Sequence, residues 1–411
     1  MEGICEILYE YHQENPTAIS EPDFEEDVLE HLAELGLKSD EDDDDEILSA
    51  IEMFHQCFMP VRSHAFSVPP KILSENAKDI LREKIEYLSS CPQPAQRTKE
   101  WYEFRYNLIT ASNAYKAFES SQAVQNQLIY EKCSADDPLK EADADVKVIQ
   151  IKSPFTNVNS PMHWGQKYEP VSVMVYENIF GTTVGEFGCI RHREFPFLGA
   201  SPDGININPF HPRYGRMLEI KNVVSREIDG IPKKEYWIQM QLQMETCDLD
   251  ECDFLENKFM EYADEEAFLS DSMDDAHLLS EANDIKGIIM YFVLPGTDTP
   301  FYVYKPLQMS FEDFEEWSQE QIWVKHKEKT WIKNLYWWME ECSCVLVERN
   351  RMWFKNNISA LGKLWETVEE ERISGKWTAR APNKRENTFA KETPSGPLAK
   401  FDFKTGKFIS F

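Results

Sequence analysis

Apolar residues recur at three- and four-residue spacing over residues 71–90 (KILSENAKDILREKIEYLSS), which predicts a helix that Pro92 and Pro94 stop. Helical spacing resumes over 98–118, turns near Ile109 and Thr110, and starts a second helix there with Thr110 or Ser112 as N-cap. The next segment is helical to about Cys133, followed by a polar stretch from Ser134 to Asp145. Residues 146–152 (VKVIQIK) predict a short strand, and 163–180 a helix entered by Gly165 with Glu169 in its early turns. Alternation over 183–198 predicts a strand pair. Met217 to Lys221 predicts a further strand, and a helix follows from about Lys234 to Thr246. Residues 252–260 and 286–294 predict two more strands, joined by an acidic insertion at 261–284. From 310 to 372 Trp, Glu and Lys stand at helical spacing, which predicts a long helical region with most of its Trp in the core.

Composition adds the boundaries. The 411 residues are 42% hydrophobic with 25 Phe, 16 Tyr and 11 Trp, enough apolar surface for a large folded core. Pro69-Pro70 separates an acidic, helical or partly disordered extension (1–70) from a domain over 71–345; a helical extension (346–375) and a basic tail (376–411) follow. The tail is read either as solvated chain or as a nucleic-acid contact arm. Nine scattered Cys without a C-x-x-C pair argue against a disulfide framework, and Cys342-Ser343-Cys344 lacks the spacing of a cluster site. The acidic N-terminus is unlike a signal peptide and no apolar run reaches membrane-spanning length, so the expectation is a soluble intracellular protein.

A net charge of −30 argues against nucleic-acid binding until it is resolved along the chain. Residues 21–46 and 248–284 each carry 14 Asp/Glu against one Lys, −13 apiece, so together they supply −26 of it. This predicts a nearly neutral body with two acidic appendages.

The candidate chemistry lies within 199–243. Ser201-Pro202-Asp203-Gly204 reads as a turn. On the strand that follows, Glu219 and Lys221 share one face while Leu218 and Ile220 take the other. A hairpin between turn and strand would bring Asp203 beside Glu219, giving two hard oxygen ligands suited to Mg²⁺ or Mn²⁺ with a lysine next to them. Those parts serve metal-dependent phosphodiester hydrolysis. In the helix after the strand, Gln239 and Gln243 share a face at i, i+4 and Gln241 does not. Ser112 with backbone N–H groups and Arg105 with its fork would suit a phosphate. Taken singly, each residue has a plain alternative: a chance D…E-x-K spacing, a solvated Glu169, a surface ion pair for Arg105, a buried amide for Gln239.

The order of the motifs goes further. SPDG, then LEIK, then IQMQLQM, preceded by Trp101…Arg105…Ile109-Thr110-Ala111-Ser112 and by Gly165-Gln166-Lys167-Tyr168-Glu169, resembles the YqaJ-type viral recombinase and phage lambda exonuclease family of the PD-(D/E)XK nuclease superfamily, over roughly 95–345. The resemblance implies an α/β restriction-endonuclease-like core: a mixed central sheet flanked by helices, with the site at one end. It implies a Mg²⁺-dependent exonuclease, with Mn²⁺ an alternative and two ions bound, that degrades the 5′ strand from double-stranded DNA ends during viral or phage recombination, replication or repair. By carry-over, Asp203, Glu219 and the Ile220 carbonyl hold metal. Lys221 orients the attacking water or stabilises the transition state, Glu169 completes the acidic cluster, and Gln239 contacts the metal-site water or DNA. Arg105, Ser112 and Ser201 line a pocket for the 5′ phosphate. The partners implied are free duplex ends, a single-strand annealing protein and a homo-trimer, in the host cytoplasm or nucleus. Some members carry an acid about ten residues before the SPDG Asp; here Arg193 stands there beside Glu194, and Arg191, His192 and Arg193 are read as phosphate contacts instead. An endonuclease of the same superfamily and a non-catalytic DNA-end or protein-binding module are the competing readings.

Overall fold

The computed structural model describes residues 2–14, 24–37, 44, 47–51, 72–95, 98–134, 158, 160–228, 230, 232–296, 299–381, 400–402 and 407–409. Helices α1 (Glu2–Glu14) and α2 (Phe24–Glu34) close a small apolar cluster of their own, Leu8, Val28, Leu32, Ile47 and Ile51. Then come α3 (Glu75–Ser90), α4 (Lys99–Tyr106), β1 (Ile109–Thr110), α5 (Ala111–Ala114), α6 (Gln122–Ser134) and α7 (Pro161–Phe180). Strands β2 (Val184–Gly185), β3 (Ile190–Arg191), β4 (Leu198–Ala200), β5 (Gly204–Asn206) and β6 (Met217–Asn222) lead into α8 (Lys234–Cys247) and β7 (Glu251–Glu261). The chain continues through α9 (Glu265–Ser270), β8 (Lys286–Val293), β9 (Pro300–Tyr304), α10 (Phe311–Glu320), a π-helical turn (Gln321–Lys325), β10 (Thr330–Glu348) and α11 (Arg351–Ser374). A short hairpin, β11 (Lys400–Asp402) with β12 (Lys407–Ile409), lies in the tail.

Seven strands form the main sheet in the order β2-β5-β6-β7-β10-β8-β9, with β6 and β7 parallel and the other neighbours antiparallel. A parallel pair needs a crossover, and α8 supplies it. Helix α7 covers one face, where Tyr176 packs on Leu218, Ile220 and Leu255. Helices α8 and α11 cover the other, where Met217 and Phe254 join Ile238, Leu242, Leu361 and Trp365 in the largest core. The result is the mixed, helix-flanked α/β architecture expected from the sequence. Helix α7 begins where Ser160 accepts the His163 N–H and ends at Gly181, whose left-handed φ of 64° suits glycine.

Three expectations are corrected. The first is the long helix over 310–372, which is broken by β10, a 19-residue strand that pairs β7 with one half and β8 with the other. Two register shifts, between Trp331 and Lys333 and between Met339 and Glu341, break its period-two pattern. The second is the strand pair over 183–198: β2 pairs with β5 in the main sheet and β3 pairs with β4 in a separate three-stranded one. The third is the second acidic appendage, 11 residues of which form the central strand β7. Asp253 and Glu256, each with a side chain 1% exposed, are core ion-pair partners: Asp253 accepts from Arg213 and Arg216, and Glu256 from Arg226. Burying a carboxylate is tolerated only with such partners. The strand expected at 146–152 and most of the acidic run 40–46 lie outside the described residues.

Because Asp253 serves the buried Arg216, the half-buried Arg213 and the Tyr176 hydroxyl, Asp253→Ala is expected to cost about 3–5 kcal/mol in urea unfolding. Asp250→Ala, at a carboxylate 61% exposed, should cost less than about 1 kcal/mol. Equal losses for the two would show that the network contributes nothing special.

Candidate active site

The antiparallel β5–β6 pair sets Gly204 across from Leu218, and the Asp203 N–H donates to the Leu218 carbonyl at 3.1 Å. This register turns the Asp203 carboxylate onto the strand, where its Oδ2 accepts the Ile220 N–H at 2.7 Å. Glu219 lies on the α8 face of β6 and is 1% exposed. Its Oε1 accepts from Lys221 Nζ (2.5 Å) and from Gln239 Nε2 (2.8 Å), and its Oε2 from Gln243 Nε2 (2.7 Å). Gln239 also turns its Oε1 to Lys221 Nζ at 3.4 Å, and Gln243 donates to the Ser201 carbonyl at 3.2 Å. The i, i+4 pair therefore faces the carboxylate, while Gln241 points away to Glu348 O and Asn350 N.

These groups line one cavity of about 790 Å³ together with Glu169, Arg105, Ser112 and Ser201, so every residue expected at the site lies in it. Helix α7 brings Glu169 to the wall; Asn222 holds that helix through Ser172 Oγ at 2.7 Å and the Gly165 carbonyl at 3.1 Å. Arg105 lies over the Trp101 ring, 4.5 Å from its centroid. Ser112 does not cap a helix: α5 has four residues, its N-cap is Thr110 without a side-chain cap bond, and Ser112 Oγ lies 3.4 Å from Thr110 Oγ1. The expected phosphate contacts at 191–193 lie on another cavity, of about 780 Å³. There His192 is 8% exposed, its Nδ1 takes the Glu194 and Phe195 N–H groups, and its ring stacks on Phe354, so it is a structural residue.

Tyr236 is a site residue that the motifs did not signal. Lys221 Nζ sits 4.7 Å from the centroid of its ring and the Arg226 guanidinium 5.8 Å. Extending the Gln239 face back by three residues reaches it.

Electrostatics favour a cation here. Burial, reinforced by the charges of Glu219 and Glu169, pushes the Asp203 carboxyl well above the usual range, with Lys221 and the Ile220 N–H opposing. Burial within the cavity wall and the Glu219 charge also raise Glu169. Lys221 is raised, because the charges of Glu219 and Asp203 outweigh its desolvation. Three carboxylates thus converge with one ammonium, which is the donor chemistry of a hard divalent ion. Among the described residues no group of three or more His, Cys, Asp or Glu side chains is arranged as a ready cage. The set on hand fits an ion that takes two carboxylates and a carbonyl and keeps water in the rest of its shell.

Residues 100–250 match the model of the YqaJ-like viral recombinase domain. Over this stretch the chain is similar to the YqaJ-like viral recombinase domain. Within it fall Arg105, Ser112, Glu169, Asp203, Glu219, Lys221 and Gln239. The uncharacterized protein R354 of Acanthamoeba polyphaga mimivirus is 30% identical over 336 residues, which is 74% of this chain and 58% of that protein; the chain thus spans little more than half the length of that relative. Two solved structures are similar at lower identity. The alkaline exonuclease LHK-Exo from Laribacter hongkongensis is 18% identical over 69% of this chain and 98% of that one, with a TM-score of 0.38. The phage-related exonuclease from Haemophilus somnus 129PT is 15% identical over 64% and 96%, with a TM-score of 0.31. In this chain Asp203 stands on the turn before β5 and Glu219 within β6 of the mixed sheet. Among the described residues no helix is long and apolar enough to cross a membrane.

The raised Asp203 has a consequence for stability. A carboxyl whose folded-state pKa exceeds its unfolded value, about 3.9, binds protons better in the native state. Its contribution is present below that unfolded value and is lost as pH rises through the folded one. In chelator at pH 7.5, Asp203→Asn, which keeps an acceptor for the Ile220 N–H, should therefore be more stable than wild type by about 1–3 kcal/mol. The gain should shrink steadily in melts taken down to pH 4. A gain independent of pH would rule out this origin.

Proposed function

We propose that this domain is a Mg²⁺-dependent deoxyribonuclease that removes nucleotides from the 5′ strand at duplex DNA ends. The observation that carries the reading is the buried Glu219, held beside Asp203 and Lys221 in a cavity that also receives Arg105, Ser112 and Ser201. Asp203, Glu219 and the Ile220 carbonyl would hold the ions, with Mn²⁺ an alternative to Mg²⁺. Bound there, the metal supplies charge neutralisation at the phosphodiester and a water of lowered pKa.

The chain's own groups do the rest. Lys221 sits on the strand two residues from Glu219 and directs a fixed ammonium to where negative charge collects on the scissile phosphate. Gln239 donates to Glu219 and accepts from Lys221, so it sets the rotamers of both. The two long side chains are thereby held in place before substrate arrives. Glu169, with its raised affinity for protons, lines the same cavity as the group able to accept a proton from the attacking water. Arg105, braced on Trp101, offers a fork for a terminal 5′ phosphate. The same reading carries a homo-trimer and a single-strand annealing partner, in the host cytoplasm or nucleus.

With Mg²⁺, wild type is expected to digest 5′-phosphorylated linear duplex and to leave covalently closed circles intact. Lys221→Ala should lower the rate by about 10²–10³ with its melting temperature unchanged within a few degrees. Arg105→Ala should erase the preference for 5′-phosphorylated over 5′-hydroxyl ends. Cutting of closed circles at the linear rate would replace the exonuclease with an endonuclease, and no cleavage of any DNA with Mg²⁺ or Mn²⁺ would sink the proposal.

A further inference from the structure

Residues 323–333, WVKHKEKTWIK, form the tip where the π-helical turn at the end of α10 passes into β10. Four large apolar side chains stand out in this short segment: Trp323 is 72% exposed, Val324 62%, Ile332 45% and Trp331 41%. Single exposed apolar residues are ordinary, but four within ten residues of one tip are more than scattered exposure supplies. The same segment carries four Lys against one Glu in a chain whose net charge is −30.

The tip is built to present these groups. His326 packs its ring against Phe301 and Phe292, at 5.0 and 5.7 Å, and its N–H donates to the Gln321 carbonyl. Lys329 lies over the Phe301 ring at 4.4 Å and pairs with Glu328. These two residues pin the backbone inward. The indole N–H groups of Trp323 and Trp331 donate to Gln319 and Asn334, partners only three or four residues away, which fixes the rings while leaving their faces open. Lys325 meets Glu320 only at 3.5 Å with its side chain 56% exposed, and among the described residues no carboxylate pairs with Lys327 or Lys333.

Fixed aromatic faces interleaved with ammonium groups, two of them without a carboxylate partner, are the chemistry that holds single-stranded nucleic acid: bases stack on the rings, and the cations follow the backbone. A protein partner would use the apolar groups but has no need of the lysines; the charge decides for a polyanion. The tip also lies beyond the same end of the sheet as the cavity. Met162, on the cavity rim, precedes His163, whose Nε2 meets Tyr302 Oη at 2.6 Å on β9, and the next residue, Phe301, bears His326. Along β10, Ser343 pairs with Glu256, which pairs with Lys221, so the tip stands about 40 Å along the strand from the level of the site, a dozen nucleotides of duplex rise.

We propose that this tip is a second nucleic-acid site, in which Trp323 and Trp331 stack the bases of a single strand and Lys325, Lys327 and Lys333 hold its phosphates. Only the choice of DNA as the strand rests on the nuclease reading; the platform itself does not.

The test is fluorescence anisotropy of a labelled dT30 oligonucleotide with the full chain in EDTA, where the catalytic centre is silent. The Trp323→Ala/Trp331→Ala double variant is expected to bind about 30-fold more weakly or worse, and Trp323→Phe/Trp331→Phe within about threefold of wild type. Changing Lys325, Lys327 and Lys333 to Gln should flatten the slope of log affinity against log salt by about 2. Lys78→Gln on α3, which removes a cation that lies neither in the tip nor in the cavity lining, should bind as wild type does. Unchanged affinity and salt slope in both tip variants would overturn the proposal. So would unchanged dT30 affinity with loss of an oligomer by mass photometry, which would make the tip a protein interface. Wild type that binds dT30 through the tip yet cleaves no DNA would leave this site standing and remove only the nuclease reading.

Discussion

Glu219 is a carboxylate at 1% exposure on a strand in the middle of the sheet, and its desolvation sets conditions that the surrounding structure must meet. An ionised carboxylate in such a place needs donors on both oxygens. Lys221 comes from its own strand, so it costs no long-range ordering. Gln239 and Gln243 come from α8, and their spacing demands that one face of the helix lie along the strand. Gln243 in turn reaches the Ser201 carbonyl and so ties down the turn that delivers Asp203. The crossover helix, the SPDG turn and the strand are positioned relative to one another by the needs of a single buried charge, while the apolar faces of the same elements supply the burial.

This explains which parts of the protein can be read from its sequence. Asp203, Glu219 and Lys221 are legible because a turn and a two-residue alternation are local rules; Gln239 and Gln243, with Gln241 excluded, are legible because helical spacing is also local. The strand β10 is not. Its two register shifts scramble the alternation, and its halves pair with strands that lie on either side of it in the sheet, which no local period records. The acids of β7 fail for another reason. Asp253 and Glu256 look like part of a solvated acidic run because their partners Arg213, Arg216 and Arg226 stand 30 to 40 residues earlier. His192 misleads in the same way, since a basic triplet gives no sign that its middle ring packs on Phe354.

The distribution of charge is therefore different from a neutral body with two acidic appendages. One acidic stretch is partly internal and ion-paired, and the exposed cations are gathered at particular places. Arg226 pairs with Glu256 at the base of the cavity and stands beside Tyr236, where Lys221 also rests, so the rim of the site is lined by cations braced on aromatic rings. Arg105 on Trp101 repeats the device. Lys221 and Arg226 are each shared between the Tyr236 ring and a carboxylate, Glu219 and Glu256, whereas the ring under Arg105 holds its cation without neutralising it. A strongly acidic chain can in this way keep a cavity receptive to a phosphate.

Gln243 shows how strict the demand of Glu219 is. Its Nε2 serves both the carboxylate and the Ser201 carbonyl, while its buried Oε1 has no hydrogen-bond partner among the groups described. An unmade bond at a buried carbonyl costs about 1–3 kcal/mol. Turning the amide over would set Oε1 against Glu219 Oε2, acceptor against acceptor, and leave Ser201 without its donor as well. The unpartnered oxygen is the smaller loss as long as Glu219 is ionised. The amide is thus oriented by two acceptors at once, the Glu219 carboxylate and the Ser201 carbonyl, and serves both at the expense of its own oxygen.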